Sequence, residues 1–328
     1  MDKLLGQIET RLRNAVPVTR NVFLKYCLLG AAVLISNSAR AKKALDGKAS
    51  CTPRPRRKTA TKCDLAAVEG PDPYRNTVLA VEKLGGMKRF VKKGSTVLVK
   101  PNIGWDRTPA QAANTEPAVV AALVEMAFKA GAKRINVFDV PCDEDAACYE
   151  RSGIAKAAKE KGATVFFPDH KNVLLARFPY KSGMEGWPLI REAVECDTFI
   201  NCPVLKDHGS TRLTLTIKNL MGACSGKRGM MHIGMPKKLV DLADFLMPEL
   251  NVIDATRVLL RNGPSGGDLA DVAVKNTVLA STDMSLVDTF ACGLVQVDPM
   301  DVSYLKAARE RGFGRTKLEG ARIVRAKA

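Results

Sequence analysis

The sequence predicts an α/β fold: a mostly parallel sheet with helices on both faces, preceded by an export leader and a basic Pro-rich linker. Three observations lead there. Short apolar or β-branched runs alternate with longer runs of helical spacing from about residue 71 onward, the pattern of strand–helix units in a largely parallel sheet. Helical runs stop at glycines, as at Gly131 and Gly162, where a left-handed cap is easiest. Polar residues recur directly after strand-like runs, at Lys100, Asp139, Lys206 and Asp254. That edge of an open α/β sheet is where ligands bind.

Residues 1–41 have the layout of an export leader. Basic Arg11, Arg13, Arg20 and Lys25 precede an apolar run at 26–35, and Ala39-Arg40-Ala41 has the small-x-small form of a signal-peptidase site. The run is short for a bilayer span, which takes about 20 residues. Thr19-Arg20-Asn21-Val22-Phe23-Leu24-Lys25 resembles the bacterial twin-arginine export signal, with Asn21 where the second arginine would stand. The expected location is the periplasm, or the outer face of the inner membrane if the leader stays on as an anchor. Residues 42–70 read as a linker, because Thr52-Pro53-Arg54-Pro55-Arg56-Arg57-Lys58 combines prolines with a basic run and suits an extended, solvated chain. Residues 71–328 form the α/β domain.

Within that domain residues 95–100 predict a buried strand ending at Pro101-Asn102. Thr115 as cap, with Glu116 and Pro117 in the first turn, opens a helix over 118–130. Strands are expected at 134–140, 164–167, 198–204, 251–254 and 276–281. Helices are expected at 152–161, 190–195, 236–245, 286–294 and 302–311.

Charge narrows the function. The chain carries +17, but residues 1–62 hold 14 Lys/Arg against 3 Asp/Glu, leaving 37 against 31 for the rest. Most of the excess is therefore in the leader and linker, not on the face a nucleic-acid-binding domain needs. Aromatics make up only 5%, too few for base-stacking platforms. No nucleic-acid partner is expected.

The chemistry concentrates between Asn201 and Cys224. A strand-like run ends in Lys206, Asp207 and His208, and a second apolar run leads to Lys218 and Asn219. His208 and His232 are two of only three histidines in the chain. Lysine offers a fixed positive charge, or a base if desolvated; histidine carries protons near neutral pH and ligates metals. The expected proton-handling residues are thus His208, His232, Lys206 and Lys218. Lys100, Asn102 and Asn219 are expected to bind an anionic substrate. They are joined by Gly263, Gly266 and Gly267 of Asn262-Gly263-Pro264-Ser265-Gly266-Gly267, whose backbone N–H groups can approach an anion closely. This loop is neither a Walker A loop nor a dinucleotide fingerprint.

Nine cysteines are present without any Cys-x-x-Cys spacing. Export permits disulfides, with Cys142/Cys148 and Cys51/Cys63 as local candidates. A second function class therefore stays open beside an acid–base enzyme: a redox protein with an iron–sulfur cluster or divalent metal. Its ligands would come from Cys142, Cys202 and Cys224, or from Asp139 and Asp254 with the histidines, and it would have a redox partner. A third is a non-catalytic periplasmic binder of small anions.

Several of these stretches together resemble a known family. They are Val99-Lys100-Pro101-Asn102, Thr115-Glu116-Pro117, Ala130-Gly131-Ala132 before Asp139, and Asn201-Cys202-Pro203-Val204-Leu205-Lys206-Asp207-His208. With them stand Ile217-Lys218-Asn219-Leu220-Met221-Gly222, Asn262-Gly263-Pro264 and the run 280–288 ending in Asp288. The set resembles the domain-of-unknown-function family numbered 362 over about residues 71–312, a family distantly similar to the N-terminal domain of the nickel-pincer lactate racemases. The resemblance implies an α/β fold with its site at these motifs; it implies no substrate.

Overall fold

The computed structural model describes residues 49–57 and 59–328; the export-leader expectation lies outside the described residues. The elements run β1 (Ser50–Cys51), β2 (Leu65–Glu69), α1 (Pro73–Leu84), β3 (Thr96–Pro101), α2 (Pro117–Ala130), β4 (Arg134–Val137), α3 (Asp145–Arg151), α4 (Ile154–Glu160), β5 (Thr164–Val165), β6 (Val173–Ala176) and β7 (Pro188–Ile190). They continue α5 (Arg191–Glu195), β8 (Thr198–Cys202), β9 (Val204–His208), β10 (Arg212–Thr214), α6 (Thr216–Asn219), α7 (Met235–Leu246), β11 (Leu250–Leu259), β12 (Val272–Ser281), α8 (Met284–Leu294), α9 (Ser303–Arg311) and β13 (Ile323–Lys327).

The main sheet has the order β13-β2-β12-β11-β8-β3-β4-β5, with β9 and β10 branching beside β11. Its β11-β8-β3-β4-β5 stretch is parallel throughout, and β12 is antiparallel to both of its neighbours. Alternate side chains leave opposite faces of a strand, and here each face meets its own core. Val97 and Val99 join α1, α2 and α4 on one side; Leu98 joins α7, α8 and α9 on the other. A second sheet, β1-β6-β7, covers part of the latter side.

The local signals explain most helix ends. Asp72 caps α1 by accepting from the N–H groups of Tyr74 and Arg75, and Asp283 caps α8 through Leu286 N–H, each satisfying donors the helix leaves open. Gly131 ends α2 at φ 107°. Thr115, however, is not its cap. The hydroxyl of Thr115 donates to the Cys202 carbonyl and accepts from Asn102 N–H, tying the β3 and β8 ends together, while Asp254 accepts from Glu116 N–H.

Two segments depart from expectation. The predicted linker is folded from Ser50 on: β1 pairs with β6, and β2 lies between β12 and β13. Arg54 is buried, its Nη2 donating to both Glu249 carboxylate oxygens at 2.9 and 3.0 Å. A basic, proline-containing run is extended here, yet its extended shape serves as a strap along the core. The strand foreseen at 198–204 is broken at Pro203, which has no N–H for the ladder. The chain leaves β3 there and resumes as β9 beside β11. All eight described cysteines are free, so neither local disulfide forms. No helix among the described residues is long and apolar enough to cross a membrane.

Candidate functional site

The break at Pro203 aims β9 across the carboxyl ends of its neighbours. With a period of two, Lys206 and His208 share one face of β9 while Leu205 enters the core. Both line a cavity of about 80 Å³ together with Asn102, Asp139, Lys218, Asn219 and Arg228. Liquid water takes about 30 Å³ per molecule, so the space suits a small anion or the anionic end of a larger molecule.

Lys206 is only 1% exposed. Its Nζ donates to Asn102 Oδ1 at 3.1 Å, Ala113 O at 2.5 Å and Pro264 O at 3.1 Å. Burial lowers its pKa to about 7, but three oxygen acceptors use all three ammonium protons. The lysine therefore contributes field rather than a free donor. Behind it runs an amide relay: Asn102 Nδ2 donates to Asn219 Oδ1, Asn219 Nδ2 to Asn201 Oδ1, and Asn201 Nδ2 to Asn251 Oδ1. Each amide fixes the next, so the floor of the site is rigid.

Lys218 comes from the single turn α6, whose first N–H groups are capped by buried Asp288; its carboxylate accepts from Thr216 N–H, Thr216 Oγ1 and Ile217 N–H. Burial pushes the Asp288 pKa up to about 7. Among the described residues Lys218 has no ion-pair partner within reach, and burial lowers its pKa to about 8. Lys100 is fully buried and paired with Asp139 at 2.8 Å; burial lowers its pKa despite that partner. Asp139 also accepts from Ile103 N–H and Val140 N–H. Arg228 donates to the carbonyls of Val140 (2.7 Å) and Pro141.

Several expected roles are corrected. His208 lines the cavity, but burial and the charges of Lys218 and Lys206 drive its pKa down to about 3, so it is no neutral-pH base. Its Nδ1 accepts from Ser210 N–H at 3.2 Å, leaving the proton on Nε2 as a donor. The His208 ring resonances are expected to stay unshifted from pH 8 to pH 5 by NMR; a midpoint near 6.5, the ordinary value, would contradict this. His232 is exposed, bonds to Gly229 O at 3.0 Å and is absent from the cavity wall. Asp254 accepts from Glu116 N–H and Thr256 and orients no histidine.

The proposed metal ligands Asp139, Asp254, Cys202 and Cys224 do not gather: Asp139 is paired with Lys100, and Cys202 and Cys224 are buried thiols with pKa values raised by burial. Among the described residues no three His, Cys, Asp or Glu side chains form a metal-holding group. The glycine loop is no N–H nest either. Gly266 and Gly267 turn their carbonyls to Arg107 (3.5 Å) and Gln111 (2.8 Å). Gly263 matters by smallness, since a Cβ there would lie 2.0 Å from Asp207 O; this contact lets Pro264 reach Lys206.

Sequence reasoning missed Arg228, the Asp288 cap and Trp105, which lines the cavity with its ring 6.0 Å from Lys206 Nζ. Asp288 stood at the end of a motif already singled out; Arg228 and Trp105 carried no spacing signal.

Comparison with known proteins gives the lineage. The chain is similar to the thylakoid-associated protein sll1697 of Synechocystis sp., 29% identical over 253 residues that cover 73% of this chain and 75% of the relative. Among solved structures it is similar to the lactate racemase apoprotein of Thermoanaerobacterium thermosaccharolyticum, with TM-score 0.44, 11% identity and 76% of this chain covered. A Thermotoga maritima protein gives TM-score 0.41, 13% identity and 70% coverage. The chain spans 59% and 60% of the length of these two solved proteins. Residues 97–293, which contain the whole cavity floor from Asn102 to Pro264, match the family "Domain of unknown function (DUF362)", and the chain belongs to that family.

Proposed function

We propose that this protein binds a small carboxylate-bearing anion in the Lys206–Lys218 cavity and performs acid–base chemistry on it. One observation carries the reading. Lys206, Lys218 and Arg228 face a cavity whose one carboxylate among the described residues, Asp139, is already paired with Lys100. The site is thus left with unbalanced positive charge, costly unless an anion completes it. Lys206 sets the field, Lys218 and the His208 Nε2–H group donate to the anion, and Lys218 moves the proton. With a pKa of about 8, Lys218 is close enough to neutrality both to give and to accept a proton, a positioned transfer worth roughly 10²–10⁴ in rate.

Calorimetric titration with acetate and lactate tests the binding. Affinity is expected to fall as pH rises through 7 to 9, because Lys206 and Lys218 lose their charge over that span. Lys218→Met is expected to weaken binding roughly 10- to 100-fold, the loss of one charge-assisted hydrogen bond. No saturable binding, or unchanged affinity in the variant, would overturn the reading. Deuterium uptake at the carbon next to the carboxylate, followed by NMR in heavy water, tests the chemistry; binding without uptake would make the protein an anion carrier instead.

We also propose export, on the leader pattern, with the site working outside the inner membrane. The relative's thylakoid association agrees with a membrane-side location. Fractionation of a C-terminally tagged chain into the cytoplasm would refute it.

A further inference from the structure

The acid–base reading leaves one group in the cavity wall without a task. Cys142 is the exposed cysteine among the eight described; Cys51 is half-buried and the other six are buried. It lines the same cavity as Lys206, Lys218 and Arg228. Its backbone is held from two sides. Cys142 N–H donates to Gly104 O at 2.9 Å, and Arg228 pins the carbonyls of Val140 and Pro141 just before it. Asp139, the carboxylate of this wall among the described residues, is engaged by Lys100, so Cys142 stands beside Lys206 and Lys218 with no free carboxylate between them. Cationic neighbours are what turn a thiol into a nucleophile.

Two further features point to a ligand beside this thiol. His208 is 9% exposed, accepts from Ser210 N–H through Nδ1 and lines the cavity, its Nε2 without a hydrogen-bond partner among the described residues. Lys218 is likewise without an ion-pair partner there. Both side chains share the cavity wall that Cys142 borders.

We propose that Cys142 is a nucleophilic thiol of this site, adding through Sγ to the electrophilic carbon of a small carboxylate-bearing molecule, of the 2-oxo acid class, whose anionic end sits against Lys206, Lys218 and Arg228. This rests on the anion-binding reading above. In the addition, the Sγ–carbon bond forms as the carbonyl π bond breaks. Its electron pair goes to the carbonyl oxygen, which takes a proton from the Lys218 ammonium. The reverse step returns the proton to Lys218 and frees the thiolate, so no oxidant, reductant or further reactant enters.

Alkylation of the native protein by iodoacetate and, in parallel, by iodoacetamide tests the proposal, with the modified cysteine located by peptide mass spectrometry. Each reagent loses iodide to the thiolate; only iodoacetate carries the anion the cavity would guide. At Cys142 the rate ratio of iodoacetate to iodoacetamide is expected to exceed that of the urea-denatured chain roughly tenfold or more, the gain typical of charge-focused access. Acetate is expected to protect Cys142 from iodoacetate, a readout that needs no variant, and Lys218→Met to lower the ratio. If Cys142 reacts with neither reagent faster than in the denatured chain while carboxylates still bind, the nucleophile is refuted and the anion site stands. If Cys142 reacts fast with iodoacetamide but shows neither the iodoacetate preference nor acetate protection, anion guidance fails and the anion-binding reading falls with it.

Discussion

Gly222→Ala is expected to destabilise the fold by about 3–5 kcal/mol, the cost of disrupting a buried ion pair. The residue follows Met221 in the short turn after α6, directly over Lys100 and Asp139. A Cβ there would lie 1.6 Å from Asp139 Oδ1 and 2.7 Å from Lys100 Nζ, where real contacts are never so close. Neither side chain can yield: Lys100 is fully buried, and Asp139 is also held by the N–H groups of Ile103 and Val140. The methyl group must therefore split the pair or displace the turn that carries Lys218. Urea unfolding of the variant checks this, and a loss below about 1 kcal/mol would mean that the turn shifts freely. Anion affinity is expected to fall in parallel, because Lys218 and Asn219 precede Gly222 by only a few residues.

Arg54→Met is expected to cost about 3–5 kcal/mol as well, since it leaves Glu249 buried without its partner. Arg54 Nη2 sits 2.9 and 3.0 Å from the two Glu249 oxygens, and Nη1 donates to Cys196 O at 2.6 Å. Glu249 in turn accepts from Phe199 N–H at 2.7 Å, so the pair links the strap at 50–56 to β8. Arg54→Met with Glu249→Leu removes both charges and is expected to recover much of the loss, because a buried pair contributes little beyond an apolar pair of similar volume. Equal instability of the single and double variants would assign the effect to lost packing instead. Chemical denaturation of all three proteins separates these outcomes. A strap of this kind also implies that residues near the linker expectation belong to the folding unit, and that a chain begun after Arg54 would fold poorly.

These two positions show where sequence reading worked and where it stopped. Gly222 sat in Ile217 to Gly222, one of the short stretches that together carried the family resemblance. Arg54 sat in a basic, proline-rich run whose composition matches solvated linkers. Only its partner, 195 residues later, turns it into an interior residue. β2 was missed for the same reason. Leu65-Ala-Ala-Val-Glu lacks a β-branched pattern, and its strand partners are residues 277–281 and 323–327; that pairing leaves no trace in local spacing.

By itself the sequence determined the alternation of strands and helices, the glycine ends of the helices, and the recurrence of Lys100, Asn102, Asp139, Lys206, His208 and Asp254 at strand ends. Those features are local: periodicity, capping and strand ends are set by residues a few positions apart. The tertiary structure alone decided what the site residues do. It buried His208 among lysines and so removed its basicity, occupied all three donors of Lys206, left Lys218 without an ion-pair partner and the cysteines apart among the described residues, and brought Arg228 and Cys142 to the cavity wall. Burial and neighbouring charge shift a titrating group by amounts that no spacing encodes, because the groups that enclose it, such as Asn102, Ala113 and Pro264 around Lys206, come from distant segments that meet only in the fold.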